Sequence, residues 1–245
     1  MSDGAAPGPA STSTKLPELS ALFPAFNERH NLQQMVDALR RVLPDVSVRH
    51  EIIIVDDGSS DGTGRLADEL AAAHPDDVRV VHHMHNLGYG AAVRSGLSAC
   101  RYGAVFFTDG DCQFDVGELR LLTPHLGPYD IVAGYRRRRQ DPLLRRWYSR
   151  GWTWLIRCLT GVRVRDVNCA FKLFKREAIA GLPLSTTGAM INAELLALAR
   201  RRGGTLTEVP VSHYPRVHGR QTGGDPRVIL RAFWELLTFS LRRRR

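Results

Sequence analysis

A chain of 245 residues with 43% hydrophobic and 24% charged side chains carries enough apolar material for one large domain, which excludes wholesale disorder. No run of 18 apolar residues occurs: the best stretches, 152–162 and 228–241, are interrupted by Arg157, Arg231 and Glu235, so no membrane-spanning helix is expected. The net charge of +9, from 34 basic against 25 acidic residues, admits a nucleic acid, an anionic membrane surface or a phosphorylated substrate as partner.

Only three basic residues are lysines (Lys15, Lys172, Lys175), and guanidinium groups bind phosphate oxygens bidentately. Cys100, Cys112, Cys158 and Cys169 form no C-x-x-C pair, which favours reduced thiols in a cytosolic protein over a zinc module. The N-terminus has no apolar segment of the secretory type.

Residues 1–15, rich in Ala, Gly, Pro, Ser and Thr, predict a flexible tail. Leu19–Phe23 reads as a short strand stopped by Pro24. Leu32, Met35, Val36, Leu39, Val42 and Leu43 then share one helical face. The β-branched run Ile52–Val55 predicts a strand buried on both faces of a parallel sheet. After the polar turn 56–63 come a helix over 64–73, a strand over 78–81, a helix over 90–100 and a strand over 104–108. A short helix over 116–122 and a fifth strand over 131–133 follow. This alternation predicts an α/β fold, a Rossmann-like and mostly parallel sheet with helices on both faces.

The second half differs. Residues 136–165 are basic and aromatic, 166–174 read as a loop entering a strand, 189–202 as a helix and 205–211 as a strand. Asp225 and Pro226 suit an N-cap and first helical position, opening a last helix to about Leu241.

Four turns carry candidate chemistry, all at the carboxyl ends of predicted parallel strands, where such sheets bind ligands. In Asp109-Gly110-Asp111, residues two apart in an extended segment point the same way, so both carboxylates can converge on one Mg²⁺ or Mn²⁺ bridging a diphosphate, with Gln113 adding a carbonyl oxygen. An Asp-rich turn alone also accounts for them. Asp56-Asp57-Gly58 can accept bonds from a base or a ribose, or simply shape and cap a turn. Pro24, Ala25, Asn27 and Glu28 end the first strand and open a helix, and Asn86–Gly90, with Gly88 at its centre, is either a phosphate cradle or a flexible turn.

The strings FPAFNE (23–28), EIIIVDDGSSDGT (51–63), NLGYGAAVRSGL (86–97) and FFTDGDCQFD (106–115) resemble family 2 glycosyltransferases of GT-A fold. DVNCAFKLFKREA (166–178) and EVPVSHYPRVHGRQTG (208–223) look like the subgroup of dolichol-phosphate mannose synthases and related polyprenyl-phosphate glycosyltransferases. The resemblance covers roughly 17–225 and implies a GT-A domain at 16–225; the residues outside it read as a flexible tail at 1–15 and an amphipathic helix with a basic end at 226–245.

Residue by residue, the resemblance implies that Pro24, Ala25, Asn27, Glu28, Asp56, Asp57 and Gly58 line a nucleoside pocket, with Gly88 beside them. Asp109, Asp111 and Gln113 would hold the metal and diphosphate. Arg136 would face donor or acceptor phosphates, and Arg216 and Gln221 would lie in a loop covering the site. Many relatives read DADLQ where this chain has Asp109–Gln113, and many carry C-terminal membrane helices where this chain has one amphipathic helix and Arg242–Arg245.

The expected activity is therefore metal-dependent, inverting transfer from a nucleotide-diphosphate sugar (GDP- or UDP-linked) to a polyprenyl phosphate, by a cytoplasmic protein in peripheral contact with an anionic membrane. Basic and aromatic side chains at 136–157 and 227–245 suit that contact or, alternatively, a core with a solvated basic face; no nucleic-acid motif accompanies them. Lys172 reads as a phosphate contact or a surface lysine. His82, His83 and His85 read as strand-end residues, since neighbours on a strand face opposite ways. The competing expectations are a soluble transferase acting on a hydroxyl, for which Asp115 or Glu194 would be the base, and a non-catalytic binding protein on the same fold.

Overall fold

The structure is a computed structural model that describes residues 15–137, 151, 155–216 and 226–242; within the last segment side chains are described at 230 and 232–240. In chain order the elements are β1 (Leu16–Ala25), α1 (Arg29–Val46), β2 (Ser47–Asp56), α2 (Thr63–Ala73), β3 (Val78–His82), α3 (Tyr89–Ala99) and β4 (Ala104–Thr108). A 3₁₀ turn (Val116–Glu118) leads into the single turn α4 (Leu119–Leu122), then β5 (Ile131–Arg136). Helical residues 155–160 (α5), β6 (Phe171–Lys175), the short α6 (Arg176–Ile179), α7 (Ile191–Arg201), β7 (Leu206–Val211) and α8 (Pro226–Arg242) complete it.

The seven strands form one sheet in the order β3-β2-β1-β4-β6-β5-β7. β1, β2, β3 and β4 are parallel, and β6 alone runs antiparallel, wedged between β4 and β5. The chain steps outward from β1 to β3 and then returns to β4 on the other side of β1. Right-handed crossovers therefore put α1 and α2 on one face and α3 on the other. α1 packs against α2, and α3 against α7. The run Ile52–Val55 is wholly buried, as expected for a strand covered on both faces.

The expected helical face of α1 is buried at each of its six positions. The first strand differs from expectation. It does not stop at Pro24 but runs to Ala25, with Pro24 beside Val55 and Ala25 beside Asp56. Ala25 O accepts the Asp57 N–H at 2.9 Å, so Pro24, one residue earlier, turns its ring nitrogen toward β4. Pairing with β4 has already ended there, at Leu22–Phe107, so the missing N–H breaks no ladder bond. The expected helix over 116–122 is a 3₁₀ turn followed by one α turn. The fifth strand is longer than expected because β7 pairs with it through Arg136–Val211.

Candidate active site

The reversal of strand order between β1 and β4 is the switch point at which open α/β sheets bind ligands. The turns after β1, β2, β3 and β4 all meet at this edge. Because β6 is antiparallel, the segment 166–170 that enters it lies there too. The turns after β1 and β4 approach so closely that a Cβ on Gly110 would sit 2.7 Å from Pro24 O. Asn27 and Cys112, one in each turn, both hold positive φ (55° and 56°), a conformation non-glycine residues adopt at some cost.

The Asp56–Asp57 pair is buried and saturated with hydrogen bonds. Asp56 accepts from Ser59 N–H (3.1 Å) and lies 3.1 Å from His82 Nδ1. Asp57 takes His83 Nδ1 at 2.6 Å and the backbone N–H groups of Leu87 and Gly88, each at 2.9 Å. A carboxylate only accepts, so Nδ1 of His83 carries a proton. Gly58 is required by space: at φ +69°, a Cβ there would lie 2.4 Å from the His85 carbonyl carbon. Asn27 Oδ1 accepts Ser60 N–H (2.9 Å), and Asn27 N–H reaches Ser59 Oγ (2.9 Å), which fastens the β1 turn to the β2 turn. The histidines face opposite ways, as alternation requires, and each braces one aspartate.

The second pair is different. Asp109 lies within the body of the protein but keeps solvent access at the sheet edge. Among the described residues its carboxylate accepts one hydrogen bond, from the Tyr89 hydroxyl at 2.7 Å. Burial first, and then the neighbouring Asp111 charge, push its pKa up to about 7. Asp111 accepts the Gln113 N–H (3.2 Å) and lies 3.7 Å from Arg216 Nη1; burial raises its pKa also. No cluster of three or more His, Cys, Asp or Glu side chains forms a metal site among the described residues. Two hard carboxylates with too little positive charge around them fit a Mg²⁺ or Mn²⁺ ion that completes its shell with a diphosphate and water. Cys112 is no competing ligand: burial pushes its thiol up to about 11.

Gln113 is anchored rather than free, its Nε2 donating to Tyr214 O at 2.9 Å while Tyr214 N–H donates to Gln113 O. Arg216 pairs with Glu28 and faces Asp111, so it joins the β1 turn to the β4 turn. Burial raises the pKa of Glu28 against the pull of Asn31 and Arg216. Arg136, at the end of β5, forms a two-pronged pair with buried Asp166 (2.6 and 3.0 Å). Gln221 lies outside the described residues, as do 138–150 and 152–154, most of the first basic-aromatic segment.

Two expectations are corrected. Lys172 is not a surface lysine: it is wholly buried, and Nζ donates to Asn192 Oδ1 (2.8 Å), to Val167 O (3.3 Å) and to Cys169 O. Those three bonds use all its hydrogens. Burial lowers its pKa to about 8. Glu194 is not a free base. It is buried, and its oxygens accept the N–H and hydroxyl of both Ser185 and Thr186, at 2.6–2.9 Å. Asn192 also reaches back, its Nδ2 lying 3.5 Å from the Tyr89 hydroxyl, so Lys172, Asn192, Tyr89 and Asp109 form one chain of polar contacts. Tyr89, Asn192 and Asp166 are contacts at this edge to which the sequence alone assigns no part, and His82 and His83, expected only as strand-end residues, brace the Asp56–Asp57 pair.

Residues 20–182 match the family model described as "Glycosyl transferase family 2". An undecaprenyl-phosphate 4-deoxy-4-formamido-L-arabinose transferase of Pseudomonas fluorescens is 32% identical over 90% of this chain and 64% of its own length, so the chain spans under two thirds of that relative. A polyprenol monophosphomannose synthase of Mycolicibacterium smegmatis is 33% identical over 81% of this chain and 78% of its own. Among solved structures, glucosyl-3-phosphoglycerate synthase from Mycobacterium tuberculosis, in complex with Mn²⁺, UDP and glucosyl-3-phosphoglycerate, superposes with a TM-score of 0.69 at 21% identity, covering 91% of this chain and 80% of that one. Mannosyl-3-phosphoglycerate synthase from Rubrobacter xylanophilus gives 0.69 at 20% identity, covering 93% and 75%. At these identities the superpositions establish the fold, the GT-A architecture.

Proposed function

Because the chain belongs to glycosyl transferase family 2, we propose that it moves a sugar, with inversion, from a nucleoside-diphosphate sugar to a polyprenyl phosphate. The observation that carries this reading is the contrast within one sheet edge: a carboxylate pair filled with donors and an under-compensated one that Arg216 faces. The turns 24–28 and 56–58 form the nucleoside side, and Asp109 and Asp111 hold the cation. That cation, when bound, neutralises the negative charge that builds on the departing diphosphate. The acceptor oxygen forms its bond to C1 of the sugar on the face opposite the diphosphate. The C1–O bond to the diphosphate breaks, and the pair stays on the leaving oxygen.

A phosphate monoester, with a second pKa of about 6, is already mostly ionised at neutral pH and needs no strong base. This favours a phosphate acceptor: of the two carboxylates expected as bases for a hydroxyl, Glu194 is saturated and Asp115 caps the 3₁₀ turn by accepting the Gly117 N–H. Arg216 and Arg136 are each held by carboxylates at the site edge, poised to hold two anions together. No helix among the described residues is long and apolar enough to cross a membrane. α8 instead leaves Leu230, Phe233 and Trp234 exposed (60%, 43% and 62%), which supports peripheral contact with an anionic membrane at its cytoplasmic face.

The test is a panel of GDP- and UDP-sugars with Mn²⁺ or Mg²⁺ and a short-chain polyprenyl phosphate in anionic liposomes. One donor is expected to raise the melting temperature and to label the lipid phosphate. Transfer to a soluble hydroxyl compound with none to the lipid phosphate would overturn the acceptor. Absence of binding by every nucleotide sugar would overturn the whole reading.

A further inference from the structure

The C-terminal helix reaches the metal carboxylates through a chain of specific contacts. Glu235 of α8 turns one oxygen, Oε1, toward the loop before α7. It accepts the Gly188 N–H (2.9 Å), the Thr187 N–H (3.1 Å) and the Thr187 hydroxyl (3.2 Å). Glu194 of α7 grips the two residues before these, through four bonds. Two carboxylates from two helices thus fix all four residues of the 185–188 turn. Charge-assisted bonds of this kind are the strong ones.

The turn in turn fixes the start of α3. Thr187 O accepts the Gly90 N–H at 2.8 Å. A Cβ on Gly90 would lie 2.6 Å from Thr186 O and 2.9 Å from both Gly188 O and the Thr187 carbonyl carbon, so the backbones meet with no room for a side chain. Tyr89 directly precedes Gly90, and its hydroxyl supplies the hydrogen bond to Asp109. Its ring lies at 6.4 Å, tilted, from Phe107 of β4.

We propose that Glu235 and Tyr89 are positioning residues for the Asp109 carboxylate: Glu235 sets the 185–188 turn, the turn sets Gly90, and Tyr89 aims the metal ligand. The proposal rests on the transferase reading for what Asp109 holds, and on the contacts alone for the mechanical link. It gives α8 a second task besides offering an apolar face, because the helix that carries Leu230, Phe233 and Trp234 outward carries Glu235 inward.

Two measurements on the full chain separate these levels. The first is amide exchange without metal, comparing wild type, Glu235→Gln and Glu235→Ala, with Thr238→Ala, an exposed position on the same helix, as control. Both Glu235 variants are expected to speed exchange over 185–190 and also over 88–92, the control over neither. Faster exchange confined to 185–190 would overturn the link. The second is Mn²⁺ affinity by electron paramagnetic resonance in the presence of GDP or UDP. Ligand-orienting partners typically contribute about 10–100-fold in metal affinity, so Tyr89→Phe is expected to weaken Mn²⁺ by about tenfold and Glu235→Gln by less. Melting temperatures check that both fold. Wild-type affinity in folded Tyr89→Phe would overturn the positioning role. If wild type takes up no Mn²⁺ with either nucleotide, the transferase reading fails while the exchange result still decides the link.

Discussion

Two pairs of aspartates sit at the ends of β2 and β4, the buried strands on either side of β1, and the same chemistry serves opposite ends in them. Asp56 and Asp57 are surrounded by donors: two histidines and three backbone N–H groups. Asp109 and Asp111 share a tyrosine hydroxyl, one backbone N–H and the nearby Arg216, and burial raises the pKa of both. A buried carboxylate with a donor on each oxygen holds the turns in place through the geometry those bonds enforce. A buried carboxylate left short of positive charge is poised for a ligand that brings it.

Breaking the second pair should cost most. Asp111→Ala is expected to abolish transfer and Asp109→Ala nearly so, a loss of about 10³-fold or more, equivalent to about 4 kcal/mol. Steady-state transfer with and without chelator checks this. Full activity of Asp111→Ala in excess chelator would erase the distinction between the pairs.

Breaking the first pair should destabilise the fold before it weakens function. Asp57→Ala leaves the His83 ring N–H and the Leu87 and Gly88 backbone N–H groups, all partly buried, without their acceptor, and an unsatisfied buried group costs about 1–3 kcal/mol. A drop in thermal stability is expected even without nucleotide, followed by weaker donor binding as the turns loosen. Unchanged melting with a tenfold loss of donor affinity would instead make Asp57 a direct ligand contact.

The sign of the effect separates the pairs further. Asp109, with a pKa of about 7 in the folded chain against an ordinary value of 3.8, keeps a proton that the unfolded chain has lost. Stability of the metal-free protein should therefore fall as pH rises from 3.8 to about 7 and level off above. Asp109→Asn removes that slope, so at pH 7.5 in chelator it should melt higher than wild type, by about 2–4 °C for each kcal/mol recovered. Added Mn²⁺ should reverse the order. A variant that melts lower than wild type at every pH would show that the Asp109 charge is compensated.

The asymmetry between the pairs also marks what could be read from the sequence. The four turns, their common edge and the candidate ligands were legible because strand-end placement follows from local periodicity. The bracing was not, because it depends on register. His82 sits opposite Asp56 only once β2 and β3 pair in parallel at that offset. Two adjacent acids at the end of one strand and two adjacent histidines at the end of the next are the available signal, and it appears only when the two strands are considered together. Lys172 and Glu194 were misplaced for a related reason: lysine and glutamate are usually exposed, and only the partners from α7 and from 166–170 and 185–186 make them interior residues. Pro24 misled because a proline normally ends a strand, whereas here its nitrogen faces the side where pairing has already ceased.

The smallest effect should come from the outermost brace. His82 bridges Asp56 and Asp68 at 3.1 and 2.9 Å, with its side chain 42% exposed. Burial opposes a charge on the ring, but the hydrogen bonds and charges of Asp68 and Asp56 outweigh it, and the pKa stands above its ordinary 6.5. The folded state therefore holds the proton more tightly than the unfolded one. The stabilisation is fully present below pH 6.5 and is lost as pH rises through the raised value. Solvent screens so exposed a pair, and such bridges contribute about 0.2–1 kcal/mol. His82→Phe should thus lower stability by less than about 1 kcal/mol at pH 6 and by less still at pH 8.5. Donor affinity should stay within about twofold, since Asp56 keeps the Ser59 N–H. His83→Phe, at a side chain only 8% exposed, should cost more and show in the melting temperature at both pH values. Equal effects from the two substitutions would mean that burial, and not merely the number of donors, fails to separate the braces.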